Sequence, residues 1–514
     1  MAIDPERADL TVGIIGTGVM GRGIAQVAAE GGMTVLLADA RLEAVAEAQR
    51  FCAEMIARKA QKGQIPEARA REAVARIRTT PAGPDAGYAA FSECDLAVEA
   101  VAENMAVKHA VLEGLEAAVR DDCIIATNTS SLPVTGFAAK ARLPGRVAGF
   151  HFFNPVPMMR LVEVVGGALT EPWVLDALDA IAKRMGRRPI RTTDTPGFLV
   201  NHAGRAFTTE ALRIVSEGVC DHADIDRVMT EVAGFRLGPF ELMDLTGLDV
   251  SHPVMESIYH QYYEEPRYRP VYNTAQRHAA GLFGRKTGRG FYSYADGKAA
   301  KPAEPAAPQL DLTGTSVWIS RRHAEDTQAL ARVVAASGAR LETGARPSGE
   351  ALAIVTPFGE DATTAALAEE LDPTRTVADD CLFPLERRRT LMRTPVTERA
   401  ALEAAHAILA ADGSAVTAIR DSAGFIAQRI VAGIVNIGAD IAQQRIAAPD
   451  DVNAAVEMGL GYPRGPLRFG DELGPQRILR ILEAMQAFYG DPRYRPSPWL
   501  KRRALLGVPL TTPE

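Results

Sequence analysis

Residues 10–21 read Leu-Thr-Val-Gly-Ile-Ile-Gly-Thr-Gly-Val-Met-Gly, and this stretch decides the fold of the first part of the chain. The short β-branched run Leu10 to Ile15 predicts a strand, and the small and apolar residues from Met20 to Ala29 predict a buried helix. A second strand is predicted at Thr34 to Leu37. A strand, a glycine-rich turn, a helix and a second strand together form one βαβ unit of a parallel sheet.

The turn has the spacing Gly-x-Gly-x-x-Gly. In a βαβ unit the first glycine gives the tight turn, the second allows a pyrophosphate to approach the backbone, and the third packs the helix against the strand. Asp39, at the end of the second strand, is expected to accept hydrogen bonds from the adenosine ribose, and its charge repels a 2′-phosphate. The sequence therefore predicts an NAD site. The loop residues predicted to bind the cofactor are Gly16, Gly18, Val19, Met20 and Gly21.

Further apolar runs alternate with charged, Ala-rich helical stretches and predict a doubly wound α/β sheet with covered faces. These strands are predicted at Leu96 to Val101, Cys123 to Thr127, Val147 to Phe152, Leu161 to Val165 and Pro189 to Thr193. The domains predicted along the chain are a Rossmann-like domain (1–193), an all-α domain (194–297), a Pro/Ala-rich linker (298–310), a smaller degenerate α/β domain (311–420) and a second all-α copy (421–514).

An internal repeat supports the second all-α copy. Asp194-Thr-Pro-Gly-Phe-Leu matches Asp421-Ser-Ala-Gly-Phe-Ile, and Asp244 matches Asp471 at the same separation, 227 positions. Such an ungapped register over about fifty residues indicates a duplication. The alternative is two unrelated helical regions with similar Gly-Pro turns.

A polar pair is predicted inside the first domain. Glu163 lies within the apolar strand run Leu161 to Val165, where an unpaired carboxylate would cost several kcal/mol, so a buried partner is expected. His151, on the neighbouring predicted strand, is the candidate. A carboxylate bound to one imidazole nitrogen fixes the tautomer and makes the other nitrogen a better base. The alternative for His151 is a core histidine without a catalytic role.

Several separated motifs then occur in a fixed order: Gly16 to Gly21, Thr127-Asn128-Thr129-Ser130-Ser131, His151 to Pro155 with Glu163, and Asp194 to Phe198 with Asn201. Together they resemble the L-3-hydroxyacyl-CoA dehydrogenase family over about residues 10–295. The resemblance implies NAD-dependent oxidation of an L-3-hydroxyacyl-CoA to the 3-oxoacyl-CoA, with an acyl-CoA substrate.

The resemblance also implies residue roles. The catalytic residues it implies are His151 and Glu163 as the dyad, with Ser130 and Asn201 contacting the substrate oxygen or the dyad. The cofactor contacts it implies are Glu103, Lys108 and Asn128. Ser130 is alternatively a helix cap, and Lys108 alternatively a solvated side chain. CoA carries phosphates, and Lys59 and Lys62 form the local basic patch that could meet them, unless they are a solvated helix end.

The second half departs from the pattern. No Gly-x-Gly-x-x-Gly follows the predicted strand Ser316 to Ile319, so no second NAD site is expected. Under the separation of 227, Glu163 aligns with Thr390 and His151 falls near Ala378, so no second dyad is expected. The double length and the ending resemble a group within the family, the 3-hydroxyadipyl-CoA dehydrogenases of bacterial phenylacetate degradation. The alternatives are a 3-hydroxybutyryl-CoA or general fatty-acid enzyme, or a catalytically idle NAD-binding structural protein.

The composition limits which partners, metals and cellular locations are expected. The 514 residues include 57 Lys and Arg against 64 Asp and Glu, a net charge of −7, so neither a nucleic acid nor an anionic membrane is an expected partner. No run approaches the ~20 apolar residues of a membrane span. The five cysteines have no metal-ligand spacing, so no metal is expected and a cytoplasmic location is predicted. The chain is expected to be a homo-oligomer or a monomer with an internal pseudo-dimer of helical domains.

Overall fold

Strands and helices alternate along most of the chain. The computed structural model describes residues 3–514. Its strands are β1 (Thr11–Ile15), β2 (Thr34–Asp39), β3 (Ile77–Pro81), β4 (Leu96–Glu99), β5 (Ile124–Thr127), β6 (Val147–Phe152), β7 (Leu161–Gly166), β8 (Arg188–Thr193), β9 (Tyr294–Ala295), β10 (Lys298–Ala299), β11 (Ser316–Ile319), β12 (Arg340–Leu341), β13 (Leu352–Val355), β14 (Thr376–Asp379), β15 (Arg388–Arg393) and β16 (Ala415–Ile419). Its helices are α1 (Val19–Glu30), α2 (Leu42–Gln61), α3 (Glu67–Ala75), α4 (Met105–Ala118), α5 (Val134–Ala138), α6 (Pro172–Arg184), α7 (Val200–Ala203), α8 (Arg205–Ser216), α9 (His222–Glu231), α10 (Pro239–Thr246), α11 (Leu248–Gln261), α12 (Tyr272–Ala279), α13 (Ala324–Ser337), α14 (Ala362–Ala368), α15 (Arg399–Leu409), α16 (Ala427–Gln443), α17 (Pro449–Leu460), α18 (Pro466–Leu473), α19 (Pro475–Tyr489) and α20 (Pro498–Leu506).

The chain divides into two units, and each is built from two stretches of sequence. Unit 1 contains the residues up to His202 together with Arg445–Leu460, and unit 2 contains Ala203–Gln444 with Gly461–Glu514. Helix α17 therefore belongs to unit 1, where it packs on β7 and β8. The sequence places this helix in the second all-α domain, and periodicity within a helix carries no information about which sheet the helix will cover.

Unit 1 is built on an eight-stranded sheet of order β3-β2-β1-β4-β5-β6-β7-β8. Neighbouring strands are parallel except β6 and β7, which are antiparallel. This sheet confirms the predicted Rossmann-like fold. Strand β3 was not predicted because it lies at the sheet edge and buries only Ile77, so it has no apolar run to mark it.

The glycines of the first turn are required by the backbone. Gly16 has a φ of +99°, and a Cβ there would lie 2.4 Å from the carbonyl oxygen of Ala100. A Cβ on Gly21 would lie 1.7 Å from the carbonyl oxygen of Gly16. Because neither position has room for a side chain, the tight passage from β1 into α1 depends on both residues.

Unit 2 contains a smaller sheet of order β12-β11-β13-β14-β15-β16. Strands β13 to β16 repeat the order and directions of β5 to β8, including one antiparallel pair, β14 and β15. Between β11 and β13 the described chain has only α13 and the short β12, so α2, α3 and α4 have no counterpart. The predicted degenerate α/β fold is confirmed.

The duplicated aspartates explain why the repeat is visible in the sequence. Asp194 accepts hydrogen bonds from the backbone N–H groups of Val134 and Thr135 in unit 1. Asp421 accepts from the N–H groups of Ala362 and Thr363 in unit 2. In both copies the carboxylate satisfies the first N–H groups of a short helix, which are otherwise without partners.

A second duplicated carboxylate has the same kind of role. Asp244 accepts from the N–H groups of Phe291 and Tyr292, 2.9 Å each, and closes the first helical copy. Asp471 accepts from the N–H groups of Leu510 and Thr511 and closes the second copy. The repeat therefore preserves the carboxylates that satisfy buried backbone groups.

Within unit 2 the two helical copies are joined by a buried charge network. Arg429 of α16 is fully buried, and its Nε donates to Oε1 of Glu210 on α8 at 2.8 Å. Its Nη1 reaches Oε2 of Glu217 at 2.6 Å, and its Nη2 donates to the Tyr494 hydroxyl at 3.0 Å. Burial opposes the charge of Arg429, but Glu210, Tyr494, Tyr489 and Glu217 together outweigh burial and raise the pKa of Arg429 well above its usual value.

Candidate active site

The predicted cofactor loop lies between the carboxyl end of β1 and the N-terminus of α1. Gly18 precedes the helix in an extended conformation, φ −61° and ψ −172°, and a Cβ there would meet no atom within 4 Å. The first turn of α1 contains no acidic residue, so the N–H groups and the helix dipole favour an anion at this point. Val19 is exposed and Met20 half-buried on the same turn.

Asp39 lies at the carboxyl end of β2 and faces the same loop. Its Oδ2 accepts from the N–H of Thr17 at 2.9 Å and from the Thr17 hydroxyl at 2.8 Å. Burial opposes the charge of Asp39, but the hydrogen bonds from Thr17 and the hydrogen bond and charge of Arg41 together outweigh burial and hold the pKa of this carboxyl below its usual value. Asp39 therefore carries a negative charge at neutral pH, as an acceptor for ribose hydroxyls requires.

The predicted His-Glu pair is formed in the structure. His151 on β6 lies directly opposite Glu163 on β7, and His151 Nδ1 is 2.6 Å from Glu163 Oε2. Glu163 is fully buried and His151 is 5% exposed. The ring of His151 also contacts the rings of Phe153 and Phe198, with centroid distances of 4.4 and 5.7 Å. A carboxylate acceptor places the proton on Nδ1 and leaves Nε2 as the basic nitrogen.

The other oxygen of Glu163 is held by the backbone. Oε1 accepts from the N–H groups of Leu199 and Val200 at 3.0 and 2.8 Å. These N–H groups are presented by a turn in which Gly197 and Phe198 both have positive φ, +76° and +50°. The Asp194-Thr-Pro-Gly-Phe motif thus fixes the carboxylate that in turn orients His151.

A second buried network lies between β4, α4 and β5. Lys108 is 1% exposed, and its Nζ is 2.8 Å from Glu99 Oε1 and 3.3 Å from Glu103 Oε2. The alternative of a solvated Lys108 is therefore wrong. Glu99 also accepts from the Thr127 hydroxyl at 2.6 Å. Sequence reasoning missed Glu99, although a carboxylate inside an apolar strand run is the same signal that identified Glu163.

Glu103 organises the turn that carries Ser130. Its Oε1 accepts from the Thr129 hydroxyl at 2.7 Å, from the Ser130 N–H at 2.9 Å and from the Ser130 hydroxyl at 3.3 Å. Burial acts to raise the pKa of Glu103, but Lys108 and these hydrogen bonds outweigh burial and lower the pKa. Ser130 is therefore held by a charged carboxylate and does not cap the helix that follows Pro133 through its side chain.

Asn201 and Asn128 are brought close to these elements. Asn201 Nδ2 lies 3.4 Å from the Ser130 carbonyl oxygen, so the structure joins these two predicted site residues. Asn128 Oδ1 accepts from the N–H of Phe152 at 2.9 Å and ties the end of β5 to β6. Asn128 thus has a structural contact next to His151.

The predicted basic patch lines a cavity of about 340 Å³ between α1, α2 and the loop after β6. Lys59 is partly engaged, because its Nζ is 2.6 Å from Glu30 Oε2. The cations that line this unit 1 cavity are Arg22, Arg58, Lys59 and Lys62. The walls also contain apolar side chains, among them Phe51, Met55 and Met158.

The second copy has a different residue pair at the place of the dyad. Asp379 pairs with Leu391 across β14 and β15, and the N–H of Asp380 donates to the carbonyl of Thr390. Asp380 therefore stands opposite Thr390, as His151 stands opposite Glu163. The sequence places the counterpart of His151 near Ala378, and strand pairing places it two residues further on, at Asp380, because the connection between the antiparallel strands is two residues shorter in the second copy.

Neither a metal site nor a membrane-spanning helix is found among the described residues. Across residues 3–514, no three His, Cys, Asp or Glu side chains are arranged to hold a metal ion. Among the helices of the same residues, none combines the length and apolar character that crossing a bilayer requires.

Comparison with protein families gives matches in three stretches of the chain. The model described as "3-hydroxyacyl-CoA dehydrogenase, NAD binding domain" matches residues 11–195. The model described as "3-hydroxyacyl-CoA dehydrogenase, C-terminal domain" matches twice, at residues 197–294 and 424–509. The helical duplication is thus found independently of the repeat in the sequence.

Individual proteins of related sequence are dehydrogenases of the same family. The chain is 34% identical over 496 residues to "3-hydroxyadipyl-CoA dehydrogenase" of Escherichia coli K12, covering 96% of this chain and 98% of the relative. It is 37% identical over 284 residues to the human mitochondrial "Hydroxyacyl-coenzyme A dehydrogenase", covering 55% of this chain and 90% of the relative. A crystal structure titled "3-hydroxybutyryl-CoA dehydrogenase", from Escherichia coli K12, superimposes with a TM-score of 0.83 at 31% identity, covering 97% and 98% of the two chains.

Proposed function

Because the chain belongs to the 3-hydroxyacyl-CoA dehydrogenase family, an NAD-dependent oxidoreductase family, we propose that its chemistry is carried by His151 and Glu163 of unit 1. The reaction is the oxidation of an L-3-hydroxyacyl-CoA to the 3-oxoacyl-CoA, or its reverse. The observation that carries the proposal is the buried contact of 2.6 Å between His151 Nδ1 and Glu163 Oε2. Packing alone would favour two apolar side chains here, so a carboxylate held against an imidazole inside a buried strand pair points to a functional role.

In this proposal His151 Nε2 accepts the proton of the substrate hydroxyl. The resulting imidazolium is stabilised by Glu163. The other oxygen of Glu163 accepts hydrogen bonds from the N–H groups of Leu199 and Val200, which hold the carboxyl group in place. Removing the proton raises the electron density on the oxygen and favours departure of hydride from the same carbon. In the reverse direction His151 returns the proton to the oxygen of the 3-oxo group.

Ser130 and Asn201 would contact the substrate oxygen. Glu103 fixes the turn that carries Ser130, and Asn201 lies against the carbonyl of the same residue. A hydroxyl and an amide N–H are suitable donors to an oxygen that gains charge. Since Glu103 and Lys108 pair with each other, we assign them to positioning this turn beside the cofactor.

The loop of unit 1 fits NAD. The backbone around Gly18 is open, the first turn of α1 carries no acidic side chain, and Asp39 is ionised beside the loop. When bound, NAD supplies the acceptor for the hydride from the substrate carbon. The charge of Asp39 would disfavour the 2′-phosphate of NADP.

The CoA moiety would bind at the unit 1 cavity. Arg22, Arg58 and Lys62 offer positive charge there for phosphate groups, while Lys59 shares its charge with Glu30. The apolar walls, with Phe51 and Met55, suit an adenine ring or a pantetheine arm.

For the acyl group we propose 3-hydroxyadipyl-CoA, in the breakdown of phenylacetate and related aromatic compounds. The support is the Escherichia coli relative named 3-hydroxyadipyl-CoA dehydrogenase, which matches this chain over 96% of its length. The solved structure that covers 97% of the chain is titled as a 3-hydroxybutyryl-CoA enzyme, so a short-chain substrate is the second candidate.

The test is the rate of NADH oxidation by the full chain with 3-oxoadipyl-CoA, acetoacetyl-CoA and a medium-chain 3-oxoacyl-CoA. We expect the highest kcat/KM with 3-oxoadipyl-CoA. A higher value for acetoacetyl-CoA would contradict the adipyl assignment and favour the short-chain one. No oxidation with any thioester would contradict the dehydrogenase proposal and favour the idle structural protein.

We propose further that the helical copies act as an internal pseudo-dimer in a cytoplasmic protein. The contact of Arg429 with Glu210 and Glu217, which joins the copies, supports the first part. The second part rests on the cysteine content, five free thiols in the described chain. Light scattering of the purified chain would distinguish a monomer from a dimer of such pseudo-dimers.

A further inference from the structure

A helix of the second copy lies against the strand that carries Glu163. Helix α17 belongs to unit 1 and packs on β7 and β8, although it comes from the second half of the sequence. The second copy has neither a His-Glu pair nor a Gly-x-Gly-x-x-Gly loop of its own. The contact of α17 with β7 therefore gives the second copy a route to the proposed chemistry.

The exchange of helices between the copies is reciprocal. Helix α9 of the first copy packs on β15 of the smaller sheet. At the end of β8 in unit 1, the N–H of Thr193 donates to the carbonyl oxygen of Ile446 at 3.2 Å. After β16 in unit 2, the N–H of Arg420 donates to the carbonyl oxygen of Val219 at 3.1 Å. The two hydrogen bonds are related by the separation of 227 positions that relates the copies, so this exchange is part of the duplicated fold.

One glycine of α17 lies very close to unit 1 side chains. A Cβ on Gly459 would lie 3.0 Å from Leu161 Cδ2 and 3.0 Å from Val200 Cγ1. Leu161 and Val200 are both fully buried. Glycine is less favourable than alanine within a helix, and it often marks the close approach of a neighbouring element. The aligned residue of the first copy is the larger Val232, so the two copies differ at this point.

Both side chains next to Gly459 are linked to Glu163. The N–H of Val200 donates to Glu163 Oε1 at 2.8 Å. Leu161 lies two residues before Glu163 on β7, so the two side chains are on the same face of the strand. The other oxygen of Glu163 is 2.6 Å from His151 Nδ1. A shift of Val200 or Leu161 would therefore move the carboxylate that orients the imidazole.

An ion pair at the same contact contributes less. Arg188 Nη2 is 3.1 Å from Asp451 Oδ1, and the two side chains are 47% and 30% exposed. Ion pairs that are open to solvent add little to stability. The contact of Gly459 with two fully buried apolar side chains therefore sets the distance between α17 and β7.

We propose that the second copy positions the catalytic dyad of the first, with Gly459 as the positioning residue. Because Gly459 has no side chain, α17 packs directly on Leu161 and Val200. The N–H of Val200 then stays in reach of Glu163, and Glu163 stays in reach of His151. The role of Gly459 rests on the proposed function of His151 and Glu163. It gives the half of the chain without a dyad a part in turnover, through packing alone.

The test is Gly459→Val, which gives α17 the residue that the first copy has at the aligned position. The branched side chain should displace Val200 and lower kcat roughly tenfold, while KM for NADH and for the 3-oxoacyl-CoA changes little. The rate of NADH oxidation is measured with the thioester that the wild type reduces fastest. Gly459→Ala adds one methyl group and should have a smaller effect of the same kind.

The matched control is a helix glycine of the second copy that lies in unit 2. A Cβ on Gly470 of α18 would lie 2.3 Å from Leu510 Cδ1. Gly470→Ala should therefore crowd the second copy at least as strongly as Gly459→Ala, and its kcat should equal that of the wild type. A loss of kcat in Gly470→Ala as large as in Gly459→Ala would overturn the proposal, because general destabilisation of the second copy would then explain both.

A double-mutant cycle tests the route through Val200. Val200→Ala removes the methyl groups that a Cβ at position 459 would meet, and it keeps the N–H that donates to Glu163. The loss of kcat caused by Gly459→Ala should therefore be smaller in a Val200→Ala background than in the wild type. An equal loss in both backgrounds would contradict the proposal.

Nuclear magnetic resonance of chains with isotope-labelled histidine gives a readout that does not depend on turnover. The short hydrogen bond to Glu163 should move the Nδ1 proton of His151 downfield, and His151→Ala identifies its signal. In Gly459→Val this proton should move upfield as the hydrogen bond lengthens, and in Gly470→Ala it should stay in place.

The outcomes separate this role from the proposed function. With an active wild type, an unchanged kcat in folded Gly459→Val would overturn the positioning role and leave the proposed function standing. An inactive wild type would contradict the proposed function, and the His151 signal would still decide whether Gly459 positions the pair. An unchanged signal in Gly459→Val would overturn the positioning role in either case. If Gly459→Val does not fold, Gly459→Ala is judged by the same two measurements.

Discussion

The antiparallel pair β6 and β7 in unit 1 and the pair β14 and β15 in unit 2 share one backbone arrangement and differ in their side chains. In unit 1 the facing residues are His151 and Glu163, and both carboxylate oxygens have partners. In unit 2 they are Asp380 and Thr390. The difference shows that a sheet can be kept after duplication while the chemistry is lost, because chemistry depends on a few side chains and the sheet depends on buried area.

The turn after β8 and its counterpart after β16 make the same point. Gly197 and Phe198 have positive φ, and so do Gly424 and Phe425. In unit 1 this turn presents N–H groups to Glu163, whereas in unit 2 no carboxylate stands at that position. The turn is retained because Asp421 still satisfies the helix after β13.

The largest effect is expected from His151→Ala. Loss of the general acid–base group should lower kcat by about a thousandfold, since such groups contribute roughly 10²- to 10⁴-fold. KM for the 3-oxoacyl-CoA should change little. The measurement is the steady-state rate of NADH oxidation. Turnover near that of the wild type would show that the dyad is not the catalytic pair.

The control for this variant lies in the second copy. Asp380→Asn removes the carboxyl group that occupies the place of His151 and leaves the Gln428 contact available through the amide oxygen. Its kcat should equal that of the wild type. A comparable loss in Asp380→Asn would mean that both copies contribute to turnover.

Arg429→Met should destabilise unit 2 by about 3 kcal/mol, because Glu210 and Glu217 would lose the positive charge that pairs with them at the contact between the helical copies. In the first copy the aligned residue is His202, so this arginine belongs to only one side of the pseudo-dimer. Urea denaturation gives the free energy of unfolding. An unchanged midpoint would indicate that apolar packing alone joins the helical copies.

Glu163→Gln is expected to lower kcat by roughly tenfold to hundredfold, since groups that orient a functional histidine have effects of this size. KM should change little, because the contacts of the substrate with the other residues are kept. Thr390→Val, at the aligned position of unit 2, should not alter the rate of NADH oxidation. A kcat equal to that of the wild type in Glu163→Gln would reduce Glu163 to a packing residue.

Much of this site could be predicted because its signals are local. The glycine loop is a contiguous motif, and Glu163 contradicts its own apolar surroundings, so both can be identified without the fold. The pairing of Lys108 with Glu99 could not, because the two residues meet only when β4 and α4 pack together. Helix propensity alone indicates a solvated lysine at that position.

The strands of unit 2 were harder to predict for an electrostatic reason. Strand β15 begins Arg388-Arg389, a pattern typical of a surface segment, yet both side chains are buried. Arg388 pairs with Glu231 and Arg389 with Asp412, neighbours that are distant in sequence. The alignment of Asp380 with His151 likewise required strand pairing, because a shorter connection changes the offset.

The smallest effect concerns pH. Burial, and then the charge of Asp380, raise the pKa of Asp379 from 3.8 to about 8 in the folded chain. The stabilisation from protonated Asp379 is complete below the ordinary value and is lost as the pH rises toward 8. The free energy of unfolding should therefore decline across this range, and Asp379→Asn should remove about 1 kcal/mol or more of that decline. Parallel urea curves at acidic and alkaline pH measure it, and equal declines in both proteins would disprove this assignment.

The central claim is that only the first copy carries the cofactor and the chemistry, and NADH binding to the full chain tests it most directly. Isothermal titration should give one equivalent of NADH per chain, because the Gly16 to Gly21 loop and Asp39 have no counterpart at α13, whose first turn carries Glu325 and Asp326. The same single equivalent should be found with Asp380→Asn. Two equivalents would show that the second copy has kept a cofactor site, and no binding would contradict the assignment of the loop.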